Sequence, residues 1–213
     1  MAVPEQMPPA APEPRPAGAV GAPPSRAPGA VAAAPWASLS AAEKRSRTLA
    51  VADELFAREG VDVPMPVLAR AVGVGVGSIY RQVGTKDDVI GALVIERSAI
   101  LRERFLATLQ APDPWAALAA ATHATVDDCI DDALSQTAWD EAAFASAEVA
   151  AARAGATEAL DLMVRRAQEA GVVADDVTHQ DLRILFCALR ELGGIGPDAA
   201  HRLADLVLRG LRG

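Results

Sequence analysis

Histidine, cysteine and aromatic side chains are scarce in this 213-residue chain, and each scarcity closes off a class of function. The three histidines, His123, His179 and His201, lie far apart, and no His-Glu-x-x-His spacing joins any of them to a second metal ligand. The two cysteines, Cys129 and Cys187, each stand alone inside an apolar helical pattern and form no Cys-x-x-Cys. They read as buried thiols in a reducing compartment. There is no phosphate-binding glycine loop and no Gly-x-Ser-x-Gly elbow. The sequence therefore points to no catalytic residue, no metal and no cofactor, and the chain is not read as an enzyme. No uncharged apolar run reaches the length of about 18 residues that a membrane helix needs. A basic start followed by an apolar core is missing, so no secretory leader is expected and the expected location is the cytoplasm.

Charge and proline are present but unevenly spread. The net charge is −8. Residues 1–39 balance Arg15 and Arg26 against Glu5 and Glu13, and residues 40–91 hold seven basic and seven acidic side chains. Residues 92–213, with eleven basic and nineteen acidic, carry all of the excess. A nucleic-acid partner for residues 40–91 is thus permitted but not demanded, since such a face needs local rather than overall positive charge. Ten of the fifteen prolines fall within residues 1–35. Residues 1–38 are accordingly read as a disordered Pro/Ala-rich tail.

From Ser40 onward the periodicity is helical and no alternating strand pattern occurs, which predicts an all-α chain of about nine helices. Ser40 with Glu43, Thr85 with Asp88 and Thr178 with Asp181 have capping-box spacing, and Gly60, Gly73 and Gly171 suit helix ends. Asp113-Pro114 and Pro197-Asp198 open further helices. A helix is expected from about Thr157 to Ala170, whereas the Ala-rich residues 133–154 carry little punctuation. Asp127 with Asp131, Asp128 with Asp132, and the pair Arg165-Arg166, read as solvated faces.

Two short helices, about residues 65–72 and 76–82, flank the turn Gly73-Val74-Gly75. This is helix-turn-helix spacing, with Val67, Leu68, Val72, Val74 and Ile79 able to hold the helices together and Ala69 and Ala71 small enough for close approach. In such a motif the second helix enters the major groove by its N-terminal end, here Val76-Gly77-Ser78. Val76 offers only apolar contact with bases, while Ser78, Tyr80, Arg81 and Lys86 carry groups that bind phosphate. On spacing alone a plain helical hairpin in a core is the commoner reading.

From Arg45 to Leu93 the chain resembles the N-terminal domain of the tetracycline-repressor family. Leu49, Ala52, Leu55, Phe56 and Gly60 match its first helix, Leu68 through Arg81 its helix-turn-helix, and Lys86 its closing lysine. The resemblance implies a helix-turn-helix DNA-binding domain over 39–91 and a helical effector-binding and dimerisation domain over 92–213. It implies DNA contacts at Gly75, Val76, Gly77, Ser78, Tyr80, Arg81 and Lys86, with Arg45 and Arg47 on the first helix added to that set. Three departures stand out: Val83 replaces the usual Phe, Pro64-Met65-Pro66 replaces an opening Ser or Thr, and Gly75 replaces a common Ser or Thr cap.

The implied partners are a palindromic double-stranded operator, a small-molecule effector and a second copy of the chain, joined through the last two helices. These carry Leu182, Leu185, Phe186, Leu189 and Leu192, then Leu203, Leu206, Val207 and Leu208. Candidate effector contacts are Phe105, His123, Cys129, Trp139, Phe144, Met163 and Phe186, although residues of these types in such a pattern are more often core. The implied function is a transcription regulator, a repressor released from its operator by the effector. The competing reading is a helical interaction protein that has lost DNA binding.

Overall fold

Helix caps set the boundaries of the molecule. The structure, a computed structural model, describes residues 35–131, 146–191 and 196–212. Among the described residues it holds eight α-helices, a single 3-10 turn at Trp36–Ser38, and no strand. The helices are α1 (Ala41–Glu59), α2 (Met65–Val72), α3 (Val76–Val83), α4 (Lys86–Thr108), α5 (Pro114–Asp131), α6 (Ala147–Glu169), α7 (His179–Glu191) and α8 (Pro197–Leu211). The remaining expected helix, within 133–154, falls largely outside the described residues.

All three expected acid caps form. Glu43 accepts from the Ser40 N–H at 2.8 Å and its hydroxyl at 2.7 Å. Asp88 does the same for Thr85, at 2.8 Å each, and Asp181 for Thr178, at 2.8 and 2.9 Å. The Thr85 backbone and hydroxyl bonds hold the Asp88 carboxyl below its ordinary value of 3.8. Asp181 is lowered likewise by Thr178, and Glu43 falls below 4.5 through Ser40. A carboxyl whose folded-state value is depressed contributes stability above its unfolded value, and loses it as pH falls through the folded value. Stability should therefore be level from neutrality down to about pH 5 and decline below about pH 4. Thr85→Ala should lower the urea midpoint more at pH 7 than at pH 3, since the bond from the Asp88 N–H to the Thr85 hydroxyl, at 3.2 Å, is lost at both. An equal loss at both pH values would show that the ionised carboxylate is not what the cap relies on.

Two apolar clusters form the interior. The first joins α1, α2 and α3 through Ala52, Leu55, Phe56, Leu68, Val72, Ile79 and Val83. Trp36, assigned to the tail on composition, packs against it, because an indole at the edge of a core buries too much surface to stay free. The second joins α5 to α8 through residues such as Leu118, Leu160, Leu182 and Leu208. α4 serves both, giving Val89, Ile90, Leu93 and Val94 to the first and Leu101 and Phe105 to the second. Its most extensive partner is α6. Gly91 faces that contact, where an added Cβ would lie 3.4 Å from Val149 Cγ2, an ordinary packing distance.

Three expectations from the sequence need correction. α6 begins at Ala147, ten residues before the expected Thr157, with the Ser146 hydroxyl accepting from the Val149 N–H at 3.1 Å. Alanine favours helix without marking a face, and Gly155 mimics a break. Arg165-Arg166 is not a solvated pair. Arg165 is exposed and bonds Asp161 at 2.6 Å, but Arg166 is half-buried and donates to the Ala111 carbonyl. The acid run on α5 is also engaged: Asp127 meets His201 at 2.7 Å and Asp128 meets Arg104 at 2.7 Å. The side chains of Asp131 and Asp132 lie outside the description.

Candidate nucleic-acid interface

α2 opens without a side-chain cap, behind Pro64 and with Pro66 in its first turn. It closes at Gly73, whose left-handed φ of 83° turns its N–H onto the Ala69 and Arg70 carbonyls. Val74 N–H also reaches Ala69 O, at 3.0 Å, so the turn is built from the backbone rather than from a polar side chain. α3 likewise begins at Gly75 without a side-chain cap.

The inner side of α3 is anchored by Ile79 and Val83, 0% and 2% exposed. Val83 is thus a working core residue where the resemblance implies phenylalanine. The outer side leaves Val76 40% and Tyr80 49% exposed. Arg81, also exposed, donates from Nη2 to Ser78 Oγ at 3.3 Å. That bond holds the guanidinium beside the hydroxyl and leaves the Ser78 O–H free to donate elsewhere. A Cβ added at Gly75 or Gly77 would meet no atom within 4 Å, so the fold does not itself require glycine at either position.

α1 brings Arg45 to the C-terminal end of α3, where Nη1 donates to the Gln82 carbonyl at 3.5 Å. Arg45 also adds to the lowering of Asp88, so part of its charge is already answered within the protein. Arg47, two residues on and so directed to a different side of α1, is half-buried and has a partner of its own. Lys86, half-buried, occupies the first position of α4 behind the Thr85 cap. The nine candidate DNA contacts are therefore gathered on α1, the α2–α3 turn, α3 and the start of α4. Among them Val76, Tyr80 and Arg81 are the outward-facing part of α3 itself.

The candidate effector contacts are distributed differently. Phe105, Cys129, Met163 and Phe186 are 0%, 2%, 2% and 1% exposed and belong to the second core. His123 is tied to Asp205 and His201. Trp139 and Phe144 lie outside the described residues. A groove of about 630 Å³ runs along α6 to the start of α7, lined by Ala150, Arg153, Ala154, Thr157, Glu158, Asp161 and His179. Sequence reading missed it because its lining is mostly small or charged, without the aromatic signal that was sought.

Among the described residues no helix is long and apolar enough to cross a membrane. Residues 49–93 match the model of the tetR family of bacterial regulatory proteins, and residues 113–213 match the C-terminal domain of SbtR-like transcriptional regulators. None of the curated proteins matches the chain. Among solved structures, the TetR transcriptional regulator SCO0520 from Streptomyces coelicolor is 31% identical, with 79% of this chain and 98% of that one covered and a TM-score of 0.57. A TetR regulatory protein from Mycobacterium vanbaalenii is 28% identical over 81% and 97% of the two chains, with a TM-score of 0.56. AibR, solved in complex with isovaleryl coenzyme A and operator DNA, shares the fold at 15% identity and a TM-score of 0.62, with 79% and 97% covered. The helix-turn-helix, the helical body behind it and these matches together place the chain in the TetR family of DNA-binding transcriptional regulators.

Proposed function

We propose that the chain is a cytoplasmic, non-enzymatic repressor that holds a palindromic operator as a homodimer and releases it when a small molecule binds the body. The observation that carries this reading is the outer face of α3. Val76 and Tyr80 stand 40% and 49% exposed there beside the Ser78–Arg81 pair, on a helix whose other side is fully packed. Together these side chains offer a partner one apolar contact flanked by hydrogen-bonding groups. In this reading Val76 meets a base edge, and Ser78, Tyr80, Arg81 and Lys86 meet phosphates, with Arg45 and Arg47 at the flank.

One such motif reads only a few base pairs, so two copies about a twofold axis are needed for a palindrome. The last two helices supply a surface for pairing: Ile184 on α7 is 65% exposed and Leu206 on α8 is 51% exposed. The groove on α6 has a volume in the range of small-molecule sites, roughly 300–1,000 Å³. It combines an alanine floor with Arg153, Glu158, Asp161 and His179, and we place the effector there. AibR, which was solved with both an acyl coenzyme A and operator DNA, offers a precedent on the same fold.

Gel retardation of the protein's own upstream DNA tests the reading. A palindromic fragment should shift at low salt, and affinity should fall steeply as salt rises, because phosphate contacts release counterions. The double variant Tyr80→Ala with Lys86→Ala should weaken binding to all sequences alike. It should also reduce the salt slope by about one, for the one cation lost. Absence of a shift at low salt would leave the interaction-protein reading in its place.

A further inference from the structure

The contact between α5 and α8 holds a polar cluster that DNA binding and effector binding do not use. His123 on α5 and His201 on α8 are 78 residues apart in sequence, yet their Nδ1 atoms are 2.9 Å apart. Their rings lie 5.1 Å apart between centroids, tilted by 34°. Each outer nitrogen meets a carboxylate: His123 Nε2 is 3.1 Å from Asp205 Oδ1, and His201 Nε2 is 2.7 Å from Asp127 Oδ1. An ionised carboxylate only accepts hydrogen bonds, so both Nε2 atoms carry hydrogen and donate. The two Nδ1 atoms are then left facing each other, and two neutral rings would set lone pair against lone pair. Either a proton held between the two Nδ1 atoms or a metal ion that parts them removes the conflict.

The arrangement is the one in which histidine ligates a metal. A metal-bound imidazole typically donates its other N–H to a carboxylate, which fixes the tautomer and raises the basicity of the ligating nitrogen. Imidazole suits zinc, copper and nickel. We propose that His123 and His201 form a two-imidazole site for a divalent transition metal of the zinc type. Asp127 and Asp205 orient the rings from outside the coordination sphere.

Two Zn–N bonds of about 2.0–2.1 Å at a tetrahedral angle put the nitrogens about 3.3 Å apart, so the rings need open by only about half an ångström. A linear two-coordinate ion would need about 4 Å and a much larger movement. Among the described residues no third His, Cys, Asp or Glu converges on the site. The remaining positions therefore fall to water or a small incoming ligand. The His123 and His201 side chains are 29% and 33% exposed, so solvent reaches them. The site does not depend on the operator or effector reading. A bound ion would cross-link α5 to α8 and so favour the folded state.

The test is calorimetric titration of the full, chelator-stripped chain with zinc chloride, followed by thermal melting with and without zinc. The expected result is one zinc per chain and a melting temperature that rises with zinc. His123→Gln and His201→Gln should each remove both effects. Asp127→Asn and Asp205→Asn keep both ligands and should weaken binding about 10- to 100-fold. These two cover the case in which a histidine variant fails to fold. No stoichiometric binding, meaning that the cation between the rings is only a proton, overturns the proposal. So does binding that survives in both His123→Gln and His201→Gln, or full affinity in both aspartate variants.

Discussion

Phe105→Ala will destabilise the protein by about 3–5 kcal/mol, the usual cost of emptying a buried phenylalanine site. That is a large share of the roughly 5–15 kcal/mol that holds a typical domain together. The phenyl ring is fully buried where α4 enters the second core, among Leu101, Leu118 and Leu160. Its removal leaves a cavity that rigid helices close only in part, so both the lost burial and the remaining void contribute. The Phe105 carbonyl also accepts from the buried Thr108 hydroxyl, at 2.6 Å, but that bond belongs to the backbone and should survive. Urea unfolding monitored by circular dichroism measures the loss. An effector-contact role predicts the opposite outcome: near-normal stability with a blunted effector response. A loss under 1 kcal/mol would restore Phe105 to the effector site.

Gly84→Ala should have the next largest effect, and it should act through two separable causes. Gly84 joins α3 to α4 at φ 81° and ψ −146°, a region that is open essentially to glycine alone. Forcing a Cβ-bearing residue into it costs on the order of 1–3 kcal/mol. The new Cβ would in addition sit 2.4 Å from Asp88 Oδ2. Asp88 can swing away only by giving up both carboxylate bonds to Thr85, which leaves the cap of α4 with the Asp88 N–H bond to the Thr85 hydroxyl alone. Because α3 and α4 meet at this residue, operator affinity should fall together with stability. The causes separate in a double variant. Asp88→Ala destabilises the parent by uncapping α4, but in the Gly84→Ala background it removes the clash and should cost little or even help. Equal damage in both backgrounds would eliminate the steric contribution.

The sequence disclosed local chemistry well and long-range chemistry poorly. The Ser40–Glu43, Thr85–Asp88 and Thr178–Asp181 caps were legible because both partners lie three residues apart and need nothing else from the fold. The helix-turn-helix was legible for the same reason, with the turn glycine and the apolar positions falling within about 20 residues. α6 was misjudged at its start because alanine carries propensity but no face. Phe105, Met163 and Phe186 show the ambiguity of a large apolar residue, which reads alike whether it lines a cavity or fills a core. The His123–His201 pair was invisible, since only the packing of α5 on α8 brings the two rings together. The α6 groove escaped notice because alanines spaced along one helix give no chemical signal until a neighbouring helix supplies His179.

α4 and α6 give the molecule a further property through the residues they contribute to the first cluster. Leu93 and Val94 lie beyond the helix-turn-helix segment, and Val149 lies on α6, more than fifty residues further along, yet all three are at most 1% exposed in the core under α1, α2 and α3. A fragment cut after Gly91 would therefore leave part of its own interior behind. Melting of the head uncovers α4, and an uncovered α4 takes Leu101 and Phe105 out of the other core. The two cores cannot come apart independently, so the head has no private unfolding equilibrium. Its reading helix lasts as long as the body does, and its slowest amide protons should exchange at the pace of the whole chain.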